Sequence, residues 1–489
     1  MKNVFAKSNE SIRSLFDDAG SLRKVMCVVV DYAKKTHTAM ICNGNGDQLR
    51  GTFHIHNNPD GIAFVEKTIL GLCKKHSIQR KHVFVGGEDC AGFAFNFVYG
   101  MASRGWLVIG VNARAAHTER ENMNASTDAL DLKGIASVLI NKKHGRTISP
   151  EHGVTAVLLR LTHQRNSLVR SRTASALRVH HLVDQLLPGF LEEKISGVCP
   201  FSRASLWLMN ERFSPKQIRR RSMQSMAQQF SAFAVHHPRE TAKKVKELAA
   251  SALPPPESMC ECLQSCLTQD VAVYQALNQS IHQLDLEIAR KLAGTPGAML
   301  TTLRGIGMTL ASGLYAELGD PMRQRPLVNM ASFAGIVDRL KQTGGPEHEA
   351  RSLGRTRRGN RTAKRLVVEI ALKIKIYGHD ELKSDYSRRE AIGQDARFTM
   401  GRKMLRICMH LIRNSDFFVP ESLRQNPSRE AMREYYQKAW PPMLVKWRNA
   451  GAIKEAFAKD APLEQWRCML NELYGLNLSN ISPQAWQLR

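Results

Sequence analysis

The sequence predicts an α/β domain at the N-terminus, followed by mainly α-helical regions. Three observations carry that expectation. Residues 24–140 alternate short, apolar, β-branched runs with segments of helical spacing. Residues 151–295 hold long amphipathic stretches broken by a proline cluster. Residues 296–414 keep the helical spacing and turn at glycines. A chain of 489 residues has room for about two to four domains with their own cores.

VMCVVVDYA, HTAMICNGNG and QLRGTFHIHN read as three consecutive strands, with a Gly-Asn-Gly turn between the second and third. GIAFVEKTILGLCKKH then has helical apolar spacing. VFVGGE is a buried strand, and FAFNFVYGMASRG is a helix ending at Gly105. WLVIGVN is a further strand. DALDLKGIASVLI is a helix that Ser126 or Thr127 can cap. Three strands, then helix, strand, helix, strand, helix, is the order of an RNase H-like domain.

In the middle region, VLLRLTHQRNSLVRSRTASALRVHHLVDQLL is an Arg-rich amphipathic helix. SALPPPES breaks the chain at 251–258, and a second long helix follows from MCECLQ to ARKL. The pair suggests an antiparallel hairpin or coiled coil, serving either a packed bundle or dimerisation. Within 296–414, LTTLRGIGMTLASGLYAELG has a helix-turn-helix pattern with Gly305 and Gly307 at the turn. Such a turn can offer N–H groups to a DNA phosphate. Residues 415–489, with Pro420, Pro441, Pro442 and four tryptophans from Trp440 to Trp486, read as a small helical extension.

A net charge of +26, from 70 Lys+Arg against 44 Asp+Glu, makes nucleic acid the leading partner. The ten cysteines form no regular framework. Cys260, Cys262 and Cys266 cluster without C-x-x-C pairs, so reduced thiols are expected. No apolar run reaches the ~18 residues of a membrane span, and MKNVFAKSNESIRSLFDD lacks an apolar signal core. The expected location is the cytoplasm.

Against that basic background four acids stand out. Asp31 ends one apolar run and Glu88 another, while Asp128 and Asp131 lie three residues apart on one helix. As first-turn acids the last two could simply favour the helix dipole. That account leaves Asp31 and Glu88 unexplained. Carboxylates converging from strand ends suit two Mg²⁺ about 4 Å apart, one activating the attacking oxygen and one stabilising the leaving oxygen. Asp31 would bridge the ions, with Glu88 to one side and one or both helix acids closing the site.

The ordered set VVVDYAKKTHTAMIC, GGEDCAG, VIGVNARAAH and STDALDLKGIA resembles the DEDD transposases of the insertion-sequence-110 type, or bridge-RNA recombinases, with Piv-like DNA invertases as relatives. LRGIGMTLASGLYAELGD, MASFAGIVDRLKQTGG, RRGNRTAKRLVVEIA and GRKMLRICMHLIRN extend the resemblance to about residue 414. It implies a RuvC-like fold with Asp31, Glu88, Asp128 and Asp131 as metal ligands. It also implies double-stranded DNA as substrate, a guide RNA, and a composite site in a homodimer or homotetramer. In that family a second domain supplies a serine nucleophile from a Ser-Gly step. Here the matching position reads Gln342-Thr343-Gly344, and the family's preceding proline is missing, with Asp338 nearby. Threonine keeps the hydroxyl but adds a methyl that crowds attack. Ser352, in a basic loop, is the fallback, and Ser332 reads as a packing residue in an apolar helix.

Arg339, Lys341, Arg351, Arg355, Arg357, Arg358, Arg361, Lys364 and Arg365 surround that position and suit phosphate contacts. A second basic set, Lys142, Lys143 and Arg146 with Lys216 and Arg219–Arg221, could hold RNA or DNA backbone. Two rivals share these features: a RuvC-like structure-specific nuclease that uses water, and a non-catalytic nucleic-acid-binding derivative of a transposase.

Overall fold

The computed structural model describes residues 9–89, 92–121, 127–148, 153–211, 213–319, 327–341, 351–356, 359–414 and 418. The chain divides into two compact units, 1–152 and 153–489.

The first unit is built on a sheet of β1 (Met26–Asp31), β2 (Thr36–Asn43), β3 (Gln48–His56), β4 (Val83–Glu88), β5 (Leu107–Val111) and β6 (Arg146–Ile148). Its order is β3-β2-β1-β4-β5-β6. β1, β4 and β5 run parallel; β2 pairs antiparallel with β1 and β6 with β5, and β3 pairs antiparallel with β2. The five longer strands fall on the apolar runs read from sequence. MCVVVD is apolar without alternation because β1 is central and covered on both faces.

Helices α1 (Glu10–Ala19), α2 (Pro59–His76), α3 (Phe95–Ser103), α4 (Ala113–Glu121) and α5 (Asp128–Ile140) flank the sheet. Side-chain parity divides the core. Met26, Val28 and Val30 pack with residues of α2 and α3, while Cys27 and Val29 pack with α1 and α5. α1, α4 and β6 are additions to the sequence expectation. Thr127, not Ser126, caps α5, its hydroxyl accepting from the Leu130 N–H at 3.4 Å.

The second unit begins with α6 (Gly153–Leu186) and its partner α12 (Glu257–Ala293). Contacts of Arg165 with Asp285, Arg172 with Asn278 and Arg178 with Asp270 step in opposite directions along the chain. The pair is therefore antiparallel, and its far end is filled by α7 (Glu193–Ser196), α8 (Arg203–Asn210), α9 (Pro215–Arg220), α10 (Met223–Ala232) and α11 (Pro238–Ser251). Much of the second basic set serves the fold. Lys216 pairs with Glu257, Arg221 with Glu211, and Lys142 with Glu119.

After α12 come α13 (Met308–Leu318), α14 (Leu327–Phe333), β7 (Asp338–Lys341), β8 (Arg351–Arg355), α15 (Arg361–Tyr377), α16 (Asp380–Ala391) and α17 (Ala396–Asn414). Three expectations are corrected. The segment before the Gly305 turn is a 3-10 stretch over Pro296–Thr302, not an α-helix. The basic loop contains an antiparallel hairpin, β7 with β8. Ser332 lies on α14 but is exposed, not packed. Of residues 415–489, read as a helical extension, all but Phe418 lie outside the described residues. Among the described residues no helix is long and apolar enough to cross a membrane.

Asp385 on α16 shows how tightly some cations are committed. Its buried carboxylate accepts from Lys403 at 2.7 Å, Arg388 at 2.6 Å and Arg389 at 3.2 Å. Burial alone would raise its pKa, but these hydrogen bonds hold it well below the usual carboxylate range. Asp385→Asn is expected to cost about 3 kcal/mol at neutral pH, leaving cations around a neutral group. The cost should disappear as pH falls below the ordinary aspartate range, which denaturant melts at two pH values will read.

Candidate functional site

The sheet brings two of the four acids side by side. Asp31 and Glu88 are register partners at the carboxyl ends of the parallel strands β1 and β4, on strands about 4.8 Å apart. Asp31 shares the parity of Cys27 and Val29, and Glu88 that of Phe84, so both carboxylates lie on the face covered by α5. Gly86 lets α5 come close: a Cβ there would stand 2.6 Å from the Leu139 side chain. On the other face a Cβ at Gly87 would meet the Tyr32 ring at 2.5 Å. The turn after Asp31 is fixed by His37, whose Nδ1 accepts from the Ala33 N–H at 3.1 Å.

α5 then delivers Asp128 and Asp131 in its first turn. The other three acids act on Asp31. Burial raises the Asp31 carboxyl above its ordinary pKa, and the charges of Asp131, Glu88 and Asp128 raise it further, with Arg120 opposing them. Glu88 is buried and Asp131 nearly so, while Asp128 is exposed. Asp131 Oδ1 is buried and has no hydrogen-bond partner among the described residues. Hard oxygen donors and the repulsion that Asp31 meets from its neighbours suit a divalent cation. Among the described residues, however, no three acidic, His or Cys side chains already converge as a metal-holding group. Arg120 stands between them, 3.0 Å from Asp131 and 3.9 Å from Glu88.

In the second unit the turn before α13 has Gly305 at φ +94°, where a Cβ would press within 3.1 Å of the Lys373 carbonyl. Gly307 is the exposed N-cap of α13. The Gly359-Asn360 step opens α15: the Asn360 side chain accepts from the N–H groups of Thr362 and Ala363 at 2.9 and 3.0 Å. Asn360 also donates to Glu317, which accepts from His163 on its other oxygen at 2.7 Å. This buried carboxylate ties α6, α13 and the start of α15 together.

Of the predicted basic residues, Arg339, Lys341, Arg361 and Arg365 are exposed. Arg355 stacks on Phe398 and pairs with Asp395 at 2.8 Å, and Lys364 is half-buried beside the same ring. Arg351 lies on β8, but its side chain is outside the description, as are Arg357 and Arg358 entirely. Thr343 also lies outside the described residues, two positions beyond the end of β7, and Ser352 pairs with Leu340 across the hairpin.

Residues 28–188 match a family model of DEDD transposases of the IS110 type, described as a transposase. Residues 297–387 match a model described as the Transposase IS116/IS110/IS902 family. The two together span more than half of the chain. Among curated proteins, the chain is 22% identical over 305 residues to an uncharacterized 43.6 kDa protein of insertion element IS110 from Streptomyces coelicolor. That similarity covers 60% of this chain and 72% of the relative.

Proposed function

This chain belongs to the IS110 family of transposases, enzymes that cut and recombine DNA, and on that footing we propose how it divides the work. The first unit is an RNase H-like, RuvC-like domain whose Asp31, Glu88, Asp128 and Asp131 hold Mg²⁺, two ions at full loading. The observation that carries this reading is the pairing of Asp31 with Glu88 at the ends of adjacent strands, on the sheet face covered by the helix whose first turn holds Asp128 and Asp131. Bound there, the ions would polarise the scissile phosphate and stabilise the departing oxygen. The residues themselves set the geometry. Paired strands fix Asp31 beside Glu88, and the N-terminal end of α5 aims its acids with favourable dipole charge at their back.

Residues 296–414 supply the nucleophile and a DNA grip, and the helices of 151–295 belong to the same compact unit. The Thr343 hydroxyl attacks phosphorus: the Oγ–P bond forms, the P–O bond to one strand end breaks, that end leaves as a free hydroxyl carrying the proton threonine gives up, and the retained phosphodiester is available for rejoining. Exposed Arg339, Lys341, Arg361 and Arg365 contact backbone phosphates, with Arg351, Arg357 and Arg358 adding charge and the Gly305–Gly307 turn offering N–H groups. A homodimer or homotetramer acts with a guide RNA.

The test incubates the protein and its co-purified RNA with element-end DNA and Mg²⁺, followed by denaturing electrophoresis. Cleavage with a covalent protein–DNA adduct supports this reading. Cleavage without an adduct turns it into a nuclease using water. Salt-sensitive binding with no cleavage leaves a nucleic-acid-binding protein only.

A further inference from the structure

Arg120 reaches two of the four acids without having been expected there. Its two terminal nitrogens face different acids, Nη1 toward Asp131 Oδ1 at 3.0 Å and Nη2 toward Glu88 Oε2 at 3.9 Å. Only a forked guanidinium can address both from one stem. The contact with Asp131 is one of charge, because Oδ1 accepts no aligned hydrogen bond. The approach is built into the helix pair. A Cβ at Gly134 on α5 would lie 2.8 Å from Arg120 Cγ and 3.2 Å from the Ala116 carbonyl. α5 therefore carries no side chain where the arginine stem crosses it. Arg120 also sits in the last turn of α4, where a cation is favoured by the helix dipole.

The surroundings explain why a cation is needed there. Glu88 is 6% exposed and Asp131 19%. Two carboxylates so poorly solvated repel one another unless positive charge lies between them.

We infer that Arg120 is a positioning residue that competes with the divalent cation for Glu88 and Asp131. It holds these acids in place and gives them up as the cation enters, so it raises the metal concentration at which the site fills. The inference rests on the metal-binding reading of the four acids, and its test separates the two.

The experiment titrates MgCl₂ into the full chain without DNA and follows melting temperature. Arg120→Met keeps an unbranched stem over Gly134 and removes the charge, and Arg120→Lys keeps a charge that can reach only one acid. The half-saturating Mg²⁺ concentration is expected to fall about tenfold in Arg120→Met, with Arg120→Lys in between. Asp31→Asn should abolish the response. An unchanged or raised midpoint in Arg120→Met, with the response still dependent on Asp31, overturns the inference and leaves the metal site standing. The same response in Asp31→Asn and wild type overturns the metal reading itself. Should Arg120→Met fail to fold, Arg120→Lys decides: a lowered midpoint supports the inference, and a wild-type midpoint overturns it.

Discussion

Asp31→Asn should reduce DNA cleavage by about 10³-fold or more, while salt-dependent DNA binding stays within about twofold. The asymmetry follows from position. Asp31 ends a central strand inside the carboxylate cluster, whereas the exposed cations proposed to grip DNA lie around the β7–β8 hairpin and on α15. The same substitution should stabilise the protein when divalent cations are chelated, raising the melting temperature by about 2 °C. Burial and three neighbouring carboxylates raise the Asp31 pKa in the fold, so its ionised form is a native-state cost. A carboxyl raised in this way costs nothing below the ordinary aspartate range, where it is protonated whether folded or not. Its cost grows as pH climbs from the ordinary aspartate range to the raised pKa and is fully present above it. The gain from asparagine should therefore be present at neutral pH and vanish in acid. Cleavage gels, a binding isotherm and melts in chelator at two pH values check the three statements. A variant that melts lower at neutral pH would show that Asp31 is not crowded by its neighbours.

The acids were legible in the sequence because strand ends are. VMCVVVD and VFVGGE stop at a carboxylate, and period-two alternation fixes which face each acid takes once the strands pair in register. Asp128 and Asp131 followed from the cap at residue 127 and from i, i+3 spacing. Arg120 was not legible. ARAAHTERE has no apolar stripe to announce α4, and the arginine's place depends on a close approach to Gly134 that only the docked helices create. DRLK and RSLGR likewise lack an apolar alternation, and they pair across residues 342–350, so a basic loop was the natural reading. β6 is three residues long, held at the sheet edge by its pairing with β5. Glu317 finds its partner His163 at a distance of 154 residues, beyond any local pattern.

Thr343→Ala is expected to lower the yield of covalent protein–DNA adduct by about 10²-fold or more, with DNA binding retained. Water has no tether, so whatever cleavage the alanine variant keeps should release free ends. Thr343→Ser should do the opposite. Serine carries the same hydroxyl without the methyl that stiffens χ1 and crowds in-line attack, so adduct should form faster than in the wild type. The hairpin offers a built-in comparison. Thr343 follows β7 by two residues, while Ser352 lies on β8 in register with Leu340. Ser352 thus lies on an element whose base is fixed by the Arg355–Asp395 pair and by the Asn360 N–H donating to the Phe333 carbonyl at 2.6 Å, and Thr343 follows that element's first strand in sequence. A structural defect in that element would depress adduct formation in both single variants, Thr343→Ala and Ser352→Ala. A nucleophile would fail alone. Adduct lost only with Thr343→Ala and enhanced by serine assigns the attack to Thr343; adduct lost only with Ser352→Ala moves it across the hairpin.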